Sequence, residues 1–480
     1  MPAITPPHNQ TDNHTDNHTN SVQITPKYNL MTALAMLVGI VIGSGIFFKA
    51  DNVLQHTGGS VSLGIVVFVL AAIAIIFGSL TIAQLASRSD NHGGIIAYAD
   101  EFVGPEFSTM VGWFQTFLYF PTIGVVVSWV VGIFLSLLLG IDNASLELQM
   151  AIGLAWLIIN YMMNVFSASW AGRFQILSTV IKLIPLFCIG ILAFIKGNTT
   201  TVFHTAQQVV ANDDVMTSVS TLAWLGAVGP IAFTFDGWIV ATSISGELKN
   251  AKRNLPIALI VAPILILLGY LIYFVGISAY LGAGQLMSMG DASVDAVTQA
   301  LFGETAGKVF LAFVIISVMG TVNGLVLGFI RLPYSLALAG RIPLAKRLSV
   351  VSAKTQLPNN SAWFTLAIAL FWFMTHYITM KTGILGNMDI SEIAIVVGYV
   401  LYVVLYFAVI KLWRQGVIKS LFFGLITPIL ATLGSVFVLF GGLQNPMFLP
   451  VCVPICALVL GVAYVYGKQT SKQAKVNEPA

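Results

Sequence analysis

Twelve stretches of about 20 or more mostly apolar residues recur along this 480-residue chain, and they leave one environment in which it can fold. They lie near residues 30–50, 61–86, 108–140, 148–166, 172–196, 221–246, 255–281, 307–339, 361–380, 390–411, 419–441 and 446–467. A helix rises about 1.5 Å per residue, so each stretch is long enough to cross the hydrocarbon of a bilayer. Only 9% of the residues are charged and 57% are hydrophobic. Soluble domains carry roughly 25% charged residues, which excludes a water-soluble globule.

Charge sets the orientation. With the N-terminus in the cytoplasm, 16 of the 22 Lys and Arg residues fall in inner segments and only Lys49, Lys196, Lys308 and Lys381 in outer ones. Lys182 and Arg331 stay inside helices. Cytoplasmic connections are enriched in Lys and Arg, so twelve spans with both ends inside a plasma membrane are expected. The net charge of +3 is too small and too scattered for a nucleic-acid partner.

No basic segment leads into a short apolar stretch with a small-residue cleavage site, so no cleaved signal peptide is expected. Cys188, Cys452 and Cys456 all sit in apolar runs without disulfide or zinc spacing, and no metal or cofactor is implied. Neither H-E-x-x-H, nor G-x-S-x-G, nor a pair of embedded acids is present, which argues against an intramembrane enzyme. Residues 1–28, with TDNH twice in succession, form a polar cytoplasmic tail too poor in apolar residues to fold. The membrane domain covers 29–467, and 468–480 form a second cytoplasmic tail.

Two runs are interrupted. In the first, Gly39, Gly43 and Gly45 weaken the helix, and Ser44 offers the backbone a competing hydrogen bond. In the sixth, Gly229-Pro230 precedes Phe233-Thr234-Phe235-Asp236-Gly237-Trp238, which puts a carboxylate near mid-membrane at a cost of at least about 2.5 kcal/mol. These are the opening helices of two successive five-span blocks, about 30–196 and 221–411, of opposite direction, followed by two extra helices at about 419–467. Matching breaks in inverted halves point to a transporter's binding site, whereas close packing through small residues explains either break alone. An unwound segment frees carbonyls that attract an ammonium and N–H groups that attract a carboxylate, a combination suited to a zwitterion.

Lys182 lies too deep in the fifth run to snorkel, so it is expected to contact interior carbonyls or hydroxyls. It serves either as a tie between helices or as a coupling cation for the interrupted first helix. Arg331 reads as an interface anchor, Thr321 and Asn323 as interior hydrogen-bonding groups, and Pro256 as the opening of the seventh run. Tyr119-Phe120-Pro121 either lines a permeation path or simply packs.

At these residues the sequence resembles the amino acid–polyamine–organocation (APC) superfamily, in its L-type amino acid transporter branch. The resemblance rests on Gly39–Phe47, Phe233–Trp238, Gly246–Asn250 through Pro256, Gly320–Gly324 to Arg331, and Ala339–Pro343, and it covers about residues 28–467. It implies an all-α membrane protein with a LeuT-type fold of 5+5 inverted repeats plus two C-terminal helices. Carried to matching positions, it implies a substrate carboxylate at the N–H groups of Ser44 and Gly45. The amine would then lie at the carbonyls of Val41, Ile42 and Phe233, with Thr234 and Asp236 alongside and Phe233 as a gate. Lys182 matches a lysine that replaces a sodium site in this branch.

The sequence departs from the pattern at Ala251, where proline is usual, and at Ser89–Gly94. The 142–145 loop holds no cysteine, so no disulfide-linked subunit is expected. The resemblance implies sodium-independent exchange of neutral amino acids by alternating access. Proton-coupled symport, and sensing without transport, remain the alternatives.

Overall fold

The computed structural model describes residues 29–43, 45–89, 94–141, 143–198, 222–240, 242, 248–352, 358–386 and 388–476. The expectations for the tails at 1–28 and 477–480, for Ser44, for 90–93 and for Gly246 and Glu247 lie outside them. Among the described residues eleven helices are long and apolar enough to cross a membrane, and a bent pair, Leu37–Phe47 with Ala50–His56, brings the number to twelve.

Span 1 comprises Leu30–Val41, Gly45–Phe48 and Ala50–His56; spans 2 to 5 are Val61–Ala86, Pro105–Leu138, Leu146–Phe166 and Ala168–Lys196. Span 6 runs over Ala223–Val240, and spans 7 to 10 are Ala251–Leu281, Glu304–Leu338, Asn359–Thr382 and Ile390–Arg414. Spans 11 and 12 are Phe422–Leu443 and Phe448–Val476. The boundaries follow the hydropathy reading, with three differences. The span 12 helix runs on to Val476, past the expected end at 467 and into the expected tail. Span 1 continues past residue 50 after a bend of 59°. Span 7 starts at Ala251, so Pro256 lies inside the helix instead of opening it.

Local chemistry explains the irregular helices. Span 2 is capped by Ser60, whose side chain accepts the Leu63 N–H. Span 3 relaxes into a π-turn over Gln115–Tyr119 just before Pro121. Proline has no N–H to give the carbonyl four residues back, so the Phe117 carbonyl is left over. The Trp372 indole of span 9 donates to it at 2.7 Å. The extra residue of the π-turn also sets the direction of Tyr119.

The core lies along spans 1, 3, 6, 8 and 10. Span 3 and span 10 are mostly buried, whereas spans 9, 11 and 12 present apolar side chains outward, as a lipid-facing shell does. Asn323 in span 8 accepts from Asn164 of span 4 and donates to Gln175 and the Ala171 carbonyl of span 5, which ties three helices at the buried centre. Arg331 is exposed at the far part of span 8.

Candidate functional site

Both expected breaks are present, and they face each other. The first part of span 1 ends at Val41, with a last helical bond from Ile42 N–H to the Val38 carbonyl at 2.8 Å. A new turn begins at Gly45. In span 6 the helix ends at Thr234, and the chain passes Asp236 into Gly237, whose φ of +94° suits glycine. A Cβ on Gly237 would lie 2.9 Å from Ile40, and one on Gly45 would lie 2.6 Å from the Thr234 Cα. Glycine lets the two broken backbones touch.

The same device repeats along span 1. Gly39 abuts Thr179 of span 5, Gly43 abuts Thr321 of span 8, and Gly45 abuts Thr234 of span 6. Each threonine hydroxyl donates back to its own helix, to Gln175, Ser317 and Ile231 carbonyls respectively. The Thr234 hydroxyl is thereby committed as a donor at 2.7 Å, so what it offers a ligand is its methyl and its acceptor lone pair.

Lys182 is fully buried. Its ammonium donates to the Gly39 carbonyl, one turn before the break, and lies 3.3 Å from the Thr321 hydroxyl. It therefore joins span 5 to the first half of span 1 and to span 8. Val41, Ile42 and Phe233 are also buried.

Sequence reasoning missed Tyr270 of span 7. Its hydroxyl lies 2.7 Å from the Thr234 carbonyl and 3.0 Å from the Val41 carbonyl, the carbonyl ends of both broken helices. A hydroxyl has one proton, so it satisfies one of these carbonyls at a time. Nothing local marks this tyrosine within an apolar helix.

Asp236 is partly exposed and meets Tyr119, whose hydroxyl lies 2.8 and 2.7 Å from its two oxygens. Tyr402 of span 10 packs its ring edge-on against Trp238, with centroids 5.7 Å apart. The carboxylate thus belongs to an aromatic wall built from spans 3, 6 and 10. Spans 3 and 10 are where the sequence left the pocket unassigned.

Lys49 needs correcting. Counted from the sequence among outer-segment residues, it is only 3% exposed. It forms ion pairs with Asp389 at 2.8 Å and Glu392 at 3.0 Å, and its ammonium stands 5.3 Å from the centroid of the Phe233 ring. The bend after Phe48 turns it inward. Among the described residues no group of His, Cys, Asp or Glu is arranged to hold a metal, and all three cysteines are free.

Comparison with known proteins identifies the family of the chain. A family model described as amino acid permease matches residues 28–463. The chain is 28% identical over 415 residues to the serine/threonine exchanger SteT of Bacillus subtilis, covering 85% of this chain and 89% of that one. It is 30% identical over 350 residues to the human Asc-type amino acid transporter 1, covering 70% and 64% of the respective chains. To the human cystine/glutamate transporter it is 26% identical over 344 residues, covering 70% and 66%. The chain thus spans most of the bacterial relative but about two thirds or less of the two human ones.

Proposed function

The chain belongs to the amino acid permease family, and from that premise we propose that it is a sodium-independent exchanger of neutral amino acids working by alternating access. The observation that carries the reading is the contact of two broken helices, Gly45 against Thr234, with Lys182 fixed on the Gly39 carbonyl beside it. The zwitterion lies between the breaks. Its carboxylate meets the N–H groups at the start of the second helical piece of span 1, around Ser44 and Gly45, where the helix dipole favours an anion. Its ammonium meets the carbonyls of Val41, Ile42 and Phe233, and Phe233 closes the site from the side of Lys49.

Exchange follows from what the empty site would leave behind. The Val41 and Thr234 carbonyls share one Tyr270 proton, so an unoccupied site leaves a buried acceptor short of a donor. A bound ammonium supplies the missing donors. If that shortage is largest in the closed state that each half-cycle crosses, the ammonium lowers its cost, so the loaded protein crosses more readily than the empty one, which is the requirement for exchange. Both termini are cytoplasmic in this reading, in a plasma membrane. No disulfide-linked subunit is needed, since the connection between spans 3 and 4 carries no cysteine.

Serine is the first substrate to try, because of the bacterial relative's exchange of serine and threonine. The test is uptake of labelled serine into proteoliposomes preloaded with unlabelled amino acids, against empty vesicles. Uptake that requires internal amino acid supports exchange. Uptake into empty vesicles driven by an inward proton gradient replaces it with proton symport through Lys182, and binding without flux in either case indicates a sensor.

A further inference from the structure

The Lys49 cluster is unbalanced. Lys49, Asp389 and Glu392 are 3, 4 and 6% exposed, so the described residues bring one ammonium against two buried carboxylates. Asp389 uses its other oxygen as the cap of span 10, accepting the Ser391 N–H at 2.9 Å and the Ser391 hydroxyl. Glu392 gives one oxygen to Lys49. The second approaches Gly229, where an added Cβ would come within 3.1 Å of it, and it meets no hydrogen-bond donor among the described residues. The oxygen is not sealed in, so it remains accessible and free to accept a donor from a ligand.

That oxygen belongs to the wall of a cavity. Glu392 lines a space of about 530 Å³ together with Asn52, His56, Met388, Asn445 and Phe448. The volume falls in the range of roughly 300–1,000 Å³ typical of small-molecule sites. Asn445 spends its carbonyl oxygen on the Met447 N–H at 2.9 Å, which leaves its NH₂ group for a ligand acceptor. The wall therefore offers a carboxylate for an ammonium and amide donors for a carboxylate. The cavity adjoins the connections after spans 9 and 11, at the end of the bundle opposite the first residues of span 1.

We propose that this cavity is a second, outer amino-acid site, where Glu392 receives the ammonium of the incoming zwitterion. The inference rests on the transport reading and deepens it. An ammonium on Glu392 competes with Lys49 for the same carboxylate. Lys49 then keeps its pair with Asp389 but loses hold of Glu392, so arrival at the outer site removes one of the two ties that keep it beside Phe233 and loosens the cover of the inner one. The other titratable groups around the cluster are His56 in the cavity wall, Asp51 and Asp291 beyond it, and His376. The buried His376 ring packs on Trp129 with centroids 5.0 Å apart.

The test is cysteine protection in proteoliposomes. Gln444, an exposed residue of the cavity rim, is changed to Cys in a chain whose three natural cysteines are replaced by Ser, and an impermeant maleimide is applied from outside. Serine and ethanolamine should slow labelling, and N-acetylserine, which has no ammonium, should not. Glu392→Gln should raise the half-protecting serine concentration by about tenfold or more, as expected for loss of a charged hydrogen bond. Protection should survive Gly45→Val, which blocks the inner site, so the outcome stands apart from the fate of the transport reading. Absence of protection by serine and ethanolamine, or protection indifferent to Glu392→Gln, overturns the proposal. Should Glu392→Gln fail to fold, Glu392→Asp must weaken protection, and equal protection overturns it too.

Discussion

The Tyr119 hydroxyl lies within 2.8 Å of both oxygens of Asp236, so one proton serves a carboxylate set between the break of span 6 and the π-turn of span 3. Tyr119→Phe removes that proton and should lower exchange by about tenfold or more, the scale of a lost charged hydrogen bond. Asp236→Asn should behave similarly. The double variant should be no worse than the poorer single one, because each change destroys the same contact. Additive losses in the exchange assay would show that the two residues act separately.

Lys182→Ala leaves the Gly39 carbonyl without its buried donor and disconnects span 5 from the first half of span 1. Exchange should fall by at least about tenfold, while the protein still elutes as a single species in detergent. Transport at the parent rate would remove the lysine from the mechanism.

Gly45→Ala should be severe despite its size. The nearest atom to the new methyl is backbone, the Thr234 Cα at 2.6 Å, and overpacking of this kind costs about 1–3 kcal/mol. Trimming the neighbour by Thr234→Ala should therefore not restore substrate binding. Recovery in a binding assay would place the obstruction in the side chain instead.

Asp291, in the connection between spans 7 and 8, is pushed up to about 7 by burial and by the neighbouring Asp51 carboxylate. An acid whose pKa is raised on folding stabilises the fold while protonated, so this contribution fades as pH climbs from about 4 to about 7. Asp291→Asn should flatten that slope and raise the thermal midpoint at pH 8 by about 2–4 °C. The check is a pair of melting curves at pH 5 and pH 8, and an unchanged slope would refute the assignment.

The two breaks were legible because their signals are local: glycines at 39, 43 and 45, and Asp236 with Gly237 in an apolar run. Lys182 was legible for the same reason, as a lone charge deep in a helix. What escaped was pairing across the chain. Lys49 meets carboxylates some 340 residues away, and no pattern around it betrays them; the 59° bend that turns it inward falls where the hydropathy run was ended. Tyr119 stood out beside Pro121, but its partner on span 6 is a tertiary fact. Tyr270 sits among apolar residues with a second tyrosine, Tyr273, close by, and nothing local singles it out. Thr234 was expected to face a ligand, yet its proton is held by its own helix.

The three glycine–threonine contacts along span 1 bear on how easily that helix moves. Each threonine proton is retained within its own helix, so no glycine–threonine contact is itself closed by a hydrogen bond. Span 1 meets its neighbours here through bare glycine backbone set against threonine side chains whose protons are already committed, a surface with little directional preference. Such a surface resists approach but hardly resists sliding, and it acts as a dry bearing. Among the described residues, the side-chain bonds that tie span 1 to other helices are those of Lys182, Tyr270 and Lys49, and these must give way when it tilts.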